Sequence, residues 1–217
     1  IMLNKPEGVV SASADKNDVT VIDLVKDEFP RRNLFPAGRL DKTSTGFVLI
    51  TDDGAFAHDI LSPKKHIEKT YIAVLDRPIG DEELQKFRSG VTLADGYECL
   101  PAGITVLSED GLTVEIKLRE GKYHQIKQMF GAVGNKITYL ERISFGPLPL
   151  DPSLNRGEWR YLTDDEIALL AEDIPYLIPI PLREIVLSCS HYISDVIFRK
   201  IIELCHSLKV DLRQPYT

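Results

Sequence analysis

The chain has 217 residues, of which 43% are hydrophobic and 27% charged, and its formal net charge is −7. These proportions are typical of a globular protein, and the acidic balance disfavours a sequence-blind nucleic-acid coat protein, which needs a broadly basic surface. No run of about 18 apolar residues is present, which excludes a membrane-spanning helix from this sequence. Three widely spaced cysteines exclude a disulfide framework, and we expect a reducing, cytoplasmic location.

Apolar periodicity, β-branched runs and Pro or Gly stops predict the secondary structure along the chain. In chain order, the predicted elements are a strand (1–3), a helix (19–29), a strand (46–51), a helix (55–62), a strand (69–75), a helix (81–89), a hairpin (102–107 with 112–118), and helices over 124–133, 162–170 and 191–209. Because strands and helices do not alternate regularly and a hairpin is present, the sequence favours an α+β fold over a doubly wound sheet.

The character of the sequence changes near residue 172. Residues 174–181 hold three prolines, which no regular element accommodates, and residues 191–209 follow with the apolar spacing of an amphipathic helix. We therefore place a main domain over residues 1–172 and a C-terminal extension over residues 173–217. We expect the helix of this extension to pack on the main domain, with a dimer contact as the alternative.

The first stretch that suggests chemistry is residues 38–46 (GRLDKTSTG). A loop of small polar residues before a buried strand can present Asp41 into a cleft. Arg39 and Asp41 lie two residues apart, so they share one face if the chain is extended. The alternative is that Asp41 accepts hydrogen bonds from backbone amides of a turn and that Arg39 is its partner on the surface.

The second such stretch is residues 120–130 (EGKYHQIKQMF). It opens a predicted helix whose N-terminus can face an anion. His124 and Lys127 are spaced i, i+3, which places them on one helix face. Basic and amide side chains at a helix start suit the phosphates and base edges of a nucleic acid. The spacing GxxxxGK[ST] is absent, so this stretch is not a phosphate loop.

Three stretches in this order, GRLDKTSTGFVLITDDG, KTYIAVL and EGKYHQIKQMFGAVGN, resemble the pseudouridine synthases, in the branch of the ribosomal small-subunit enzyme and its large-subunit relatives. The opening MLNKPEGVVSA also fits that branch, and the resemblance runs from Ile1 to about Leu170. It implies a catalytic domain with a mixed, mostly antiparallel sheet, flanking helices and a central RNA-binding cleft. Relatives usually begin with a small basic RNA-binding domain of the ribosomal protein S4 type, which we expect to be absent from this chain.

The resemblance also implies a role for each residue of the site. It makes Asp41 the catalytic aspartate, with Lys127 as its charged partner. The remaining residues are expected to bind substrate: Arg39 displaces the target base and contacts phosphate, Tyr71 lies against the uracil ring, Leu118 forms an apolar floor, and His124 and Gln125 contact the RNA. We assign His124 no acid–base role.

The implied reaction requires no redox cofactor and no metal, because uridine and pseudouridine are isomers. The expected partner is ribosomal RNA, and the protein is expected to act as a monomer. The stretch YHQIK, in place of an NRQVR-like run, favours small-subunit (16S) RNA, with large-subunit (23S) RNA as the alternative. A catalytically silent RNA-binding module is a further alternative, which the presence of Arg39, Asp41, Tyr71 and Lys127 disfavours.

Two other functions fit the sequence less well. Asp52, Asp53 and Gly54 follow an apolar strand, as in an aspartyl-phosphate enzyme, but the two acids are adjacent and Ala55 stands where a threonine is needed. A metal site built from Cys189, His191, Cys205 and His206 is disfavoured because the tail contains no CxxC pair. Those four residues lie outside the part of the chain that the structure describes.

Overall fold

Most of the predicted apolar runs are strands of one sheet in the computed structural model, which describes residues 1–62, 65 and 67–171. The strands are β1 (Met2–Lys5), β2 (Phe35–Ala37), β3 (Thr45–Thr51), β4 (Lys69–Leu75), β5 (Gly103–Val106), β6 (Thr113–Leu118), β7 (Ile137–Phe145), β8 (Leu148–Pro149) and β9 (Trp159–Arg160). The helices are a 3-10 turn (Lys26–Glu28), α1 (Gly54–Leu61), α2 (Asp81–Ser89), α3 (Gln125–Ala132) and α4 (Asp164–Ala171).

The strands pair in the order β5-β6-β4-β7-β3-β1-β9, with β2 beside β3 and β8 beside β7. Strands β3 and β7 run parallel, and the other strand pairs of the described residues are antiparallel. This mixed, mostly antiparallel sheet with its helices confirms the predicted α+β fold. The hairpin of β5 and β6 was also predicted correctly.

Strand β3 has apolar residues on both faces. Val48 and Ile50 belong to a large buried cluster that includes Tyr71 and Leu118, whereas Phe47 and its neighbours on the other face pack in a second buried cluster. A strand buried on both faces reads as a continuous apolar run, which is why the sequence identified it. This rigid central strand is the base from which the preceding loop, with Asp41, projects.

The predicted helix over residues 19–29 is wrong. Its first residues pair with an earlier segment, because Val10 N donates to Val19 O at 3.0 Å and Val21 N donates to Val10 O at 2.9 Å. The side chains of Thr20 and Asp23 also accept hydrogen bonds from the backbone. Thr20 N donates to Asp23 Oδ2, and Asp23 N donates to Thr20 Oγ1. These bonds compete with helical ones, and only the turn at Lys26–Glu28 remains.

The sequence prediction also missed β7, the longest described strand, which lies between β4 and β3. Its Tyr139, Glu141 and Arg142 made the segment look polar, although Arg142 is buried.

The predicted helix over residues 191–209 lies outside the described residues, and the domain boundary at residue 172 stays a prediction. None of the described helices has the length and apolar character of a membrane span.

Gly46 allows β3 and β7 to approach closely at the point where the Asp41 loop meets the sheet. Its φ is +98°, and a Cβ built on it would overlap the backbone carbonyl oxygen of Arg142. Only glycine combines this φ with this contact at low cost. The buried Arg142 side chain reinforces the junction, because its Nε donates to Phe47 O at 2.7 Å.

We expect Gly46→Ala to lower the free energy of unfolding by about 3 kcal/mol, from left-handed strain and overpacking together. The matched control is Gly54→Ala, because Gly54 has no neighbour within 4 Å of a built Cβ and no positive φ. Denaturant unfolding measures both variants. A loss of less than about 1 kcal/mol at Gly46 would contradict the close approach of the two strands.

Candidate active site

Asp41 lies in the loop before β3, and the residues before and after it are fixed by hydrogen bonds. Leu40 is buried, and its N–H donates to Ser11 Oγ at 3.0 Å. After Asp41 the chain turns back, because Ser44 N donates to Asp41 O at 3.0 Å, and Ser44 is buried. Since its neighbours on both sides are fixed, Asp41 is presented from a rigid turn, and its side chain is 22% exposed.

Helix α3 supplies a cation, and the residue before it an imidazole, to the two oxygens of Asp41. Lys127 Nζ lies 3.1 Å from Oδ2, and His124 Nε2 lies 3.2 Å from Oδ1. Lys127 Nζ also donates to Thr43 Oγ1 at 2.7 Å, so it binds the loop at two points. The predicted i, i+3 spacing of His124 and Lys127 therefore converges on the predicted carboxylate. A partly exposed ion pair adds little stability, so its main effect is to orient the carboxylate.

The backbone of His124 is strained. Its φ is 51° and its ψ 26°, and among the described residues it is the one non-glycine residue with positive φ. This left-handed conformation costs roughly 1–2 kcal/mol and persists only where the surrounding structure enforces it. Here it precedes the first turn of α3, in the residue whose ring contacts Asp41. Strain that coincides with such a contact indicates a functional site.

Lys5 supports the loop from inside the protein, and the sequence prediction missed it. The residue is fully buried, and its Nζ donates to Ser44 O at 2.7 Å, Pro6 O at 3.0 Å and Lys42 O at 3.4 Å. Burial lowers the pKa of Lys5 to about 8, against the opposing effect of the Asp41 carboxylate. The available signal was the strand period of two, since Leu3 on the same face of β1 is a core residue.

Tyr71 and Leu118 are buried in the core. Both belong to the cluster that contains Leu40, the residue before Asp41. Tyr71 lies opposite Ile116 in the β4–β6 pairing, and Leu118 follows two residues later on β6. The two side chains therefore lie on one face of the sheet within this cluster.

Two further predicted substrate-binding residues, Arg39 and Gln125, lie in opposite environments. Arg39 is exposed, and its side chain makes no hydrogen bond or ion pair with the described residues, so it is not the partner of Asp41. Gln125 is buried: its amide donates to Glu120 Oε2 at 2.6 Å and accepts from Lys122 N at 3.0 Å. These hydrogen bonds stabilise the start of α3. A direct contact of Gln125 with substrate would require them to break.

We predict that the difference in unfolding free energy between the parent protein and Lys5→Met changes with pH in the alkaline range. The pKa of Lys5 is about 8 in the folded protein and 10.5 ordinarily, so the folded state binds fewer protons between these values. Stability of the parent protein should therefore rise relative to the variant from pH 8 to pH 10.5, by at most about 3 kcal/mol. Denaturant unfolding of both proteins across this range gives the difference, in which other titrating groups cancel. A constant difference would contradict the lowered pKa of Lys5.

Comparisons with known proteins identify the family of this chain. The family model described as RNA pseudouridylate synthase matches residues 1–132. An uncharacterized RNA pseudouridine synthase of Bacillus subtilis is 47% identical over 174 residues, which cover 79% of this chain and 73% of the relative. Ribosomal small subunit pseudouridine synthase A of Vibrio vulnificus is 47% identical over 168 residues, covering 77% and 72% of the two chains.

A solved structure gives the same result for the fold. The crystal structure of a pseudouridylate synthase superposes with a TM-score of 0.73 at 39% identity, and the match covers 78% of this chain and 72% of that one. Both the matched share of the chain and the identity are high enough to establish membership. The chain belongs to the RNA pseudouridine synthase family, whose members isomerise uridine to pseudouridine in RNA.

Proposed function

We propose that this enzyme isomerises a uridine of small-subunit (16S) ribosomal RNA, with Asp41 as the catalytic carboxylate. The observation that carries the proposal is the arrangement of Asp41, whose two oxygens contact Lys127 and His124 while the side chain stays partly open to solvent. A carboxylate held in this way can act on a bound group without first reorganising. Pre-oriented charges of this kind are a main source of catalysis in enzymes.

The reaction itself explains why one carboxylate suffices. The C1′–N1 bond of uridine breaks, the uracil turns, and C1′ bonds to C5, whose hydrogen leaves as a proton while N1 gains one. Breaking the glycosidic bond builds positive charge on the ribose, as in sugar hydrolysis. Asp41 would stabilise this charge or bond to the ribose, and Lys127 would hold the carboxylate in position. Residues 1–172 would carry the catalytic domain.

The target uridine has to leave its base stack before its ribose can reach Asp41. Such extrusion costs a few kcal/mol. Arg39 lies two residues before Asp41 and is exposed, so it is placed to contact phosphate or to occupy the gap left by the base. The buried surface of Tyr71 and Leu118 would receive the uracil and keep it from escaping.

The names of two relatives support 16S RNA as the substrate. One relative is named ribosomal small subunit pseudouridine synthase A at 47% identity, and the same name recurs at 43% identity in Escherichia coli. We also propose that the enzyme acts as a monomer. A ribosomal RNA substrate in turn supports a cytoplasmic location.

The test uses 16S and 23S transcripts that carry tritium at C5 of every uridine. Because C5 loses its hydrogen when it bonds to C1′, each pseudouridine formed releases one tritium. We expect release from the 16S transcript that levels off at about one tritium per RNA molecule, with none from 23S. Release from 23S alone would support the large-subunit alternative and contradict the proposal. No release from either RNA, or from assembled subunits, would support a silent RNA-binding module.

A further inference from the structure

Tyr123 has an exposed aromatic ring that folding does not explain. Its 72% exposure is the largest among the exposed large hydrophobic residues of the described chain. Its hydroxyl makes no hydrogen bond with the described residues, and the only aromatic ring it packs against there belongs to the adjacent His124. An exposed ring of this size gains little by burial, so stability gives no reason for a tyrosine at this position.

The ring is nevertheless held in a defined orientation. It stacks on the imidazole of His124 with ring centroids 3.8 Å apart and an angle of 20° between the planes. The backbone beneath it is fixed, because Gln128 Nε2 donates to Tyr123 O at 2.7 Å. The strained backbone of His124 also sets the direction of the imidazole. One face of the tyrosine is therefore covered, and the ring as a whole remains exposed.

This stack begins at the catalytic carboxylate. His124 Nε2 lies 3.2 Å from Asp41 Oδ1, and the Tyr123 ring forms the next layer beyond the imidazole. A ribose in contact with Asp41 would place its own uracil toward the apolar surface of Tyr71 and Leu118. The tyrosine lies one ring layer away from the carboxylate, where the neighbouring nucleotide of the same strand would pass.

The surroundings of Tyr123 suit RNA. The stretch Arg119–Lys127 carries three basic side chains and one acid. The acid, Glu120, is bonded to Tyr97 and Gln125, and Arg119 Nε lies 3.5 Å from Glu68 Oε2. The Lys122 ammonium lies over the Tyr97 ring at the surface. Aromatic rings that stack unpaired bases, flanked by cations that contact phosphate, are the usual elements of single-strand RNA binding.

We propose that Tyr123 stacks an unpaired nucleobase next to the target uridine, so that His124, Tyr123 and this base form a three-layer stack beside Asp41. The inference rests on the proposed function and adds a second base-binding position to it. It makes Tyr123 a substrate-binding residue that positions the strand and so places the extruded uridine. The pair of Tyr123 and His124 would then favour substrates in which a neighbour of the uridine is unpaired.

The first experiment compares variants on the tritiated 16S transcript. Base–aromatic stacking is lost in Tyr123→Ala and Tyr123→Leu, so we expect kcat/KM to fall about 5- to 100-fold, mainly through KM. Tyr123→Phe should recover most of this loss, because the ring remains. The control is Tyr161→Ala, which removes another exposed tyrosine, one that packs against Phe29 and Trp159. Its kcat/KM should stay within twofold of the parent enzyme, and equal Tm values would show that the variants fold.

The second experiment identifies the stacked base. Once the modified uridine is mapped, synthetic RNAs carry an abasic nucleotide on its 5′ or its 3′ side. One abasic RNA should lower kcat/KM of the parent enzyme about as much as Tyr123→Ala does, and it should lower that of Tyr123→Ala much less. This lack of additivity is the signature of a direct contact. Fully additive losses with both RNAs would overturn the inference.

Two further outcomes separate the inference from the proposed function. Normal tritium release by both the parent enzyme and Tyr123→Ala would refute the stacking position and leave the function intact. If the parent enzyme releases no tritium from any ribosomal RNA, the proposed function fails, and the stacking position fails with it.

Discussion

The contact between Asp41 and the start of α3 is the interaction on which the site depends. The loop that carries Asp41 leads into β3, whereas β6 leads into α3, and β4 and β7 lie between these two strands in the sheet. Three strand spacings separate β6 from β3 by about 14 Å. Lys127 and His124 reach across this width to the carboxylate. The segments after β6 and before β3 therefore converge at Asp41.

Several residues around this contact have locally unfavourable conformations or environments. Lys5 is a buried cation whose burial lowers its pKa to about 8, and it is compensated by three backbone carbonyls of the surrounding loops. His124 has a left-handed backbone, and Gly46 lies against the carbonyl of Arg142. These features concentrate around one carboxylate. The arrangement is that of a pre-organised site, in which stability is given up for position.

Local sequence patterns identified the residues that meet at Asp41 better than they predicted the framework around them. Asp41, His124 and Lys127 were identified because a polar loop before a buried strand and an i, i+3 pair are visible within a few residues. Strand β7 was missed because Tyr139, Glu141 and Arg142 resemble a surface segment, although Arg142 is buried against β3. Lysine is almost never buried, so Lys5 gave no signal of its own.

The orientation of side chains in the loop could not be read from spacing. Arg39 is exposed, and Asp41 instead contacts Lys127 and His124, which come from a distant segment of the chain. The helix predicted over residues 19–29 does not form because Val10, which lies outside that segment, forms backbone hydrogen bonds with Val19 and Val21. Both outcomes depend on contacts between distant segments, which local periodicity does not contain.

The most direct test of the central claim is the single-turnover rate of pseudouridine formation by Asp41→Asn, measured with RNA saturated by enzyme. Asparagine keeps the shape of the side chain but not its charge, so we expect a rate about 10³-fold lower, with RNA affinity changed by no more than a few fold. Asp52→Asn is the control, because Asp52 is paired with Arg32 away from Lys127 and His124. A rate for Asp41→Asn within about tenfold of the parent enzyme would contradict the assignment of Asp41 as the catalytic carboxylate.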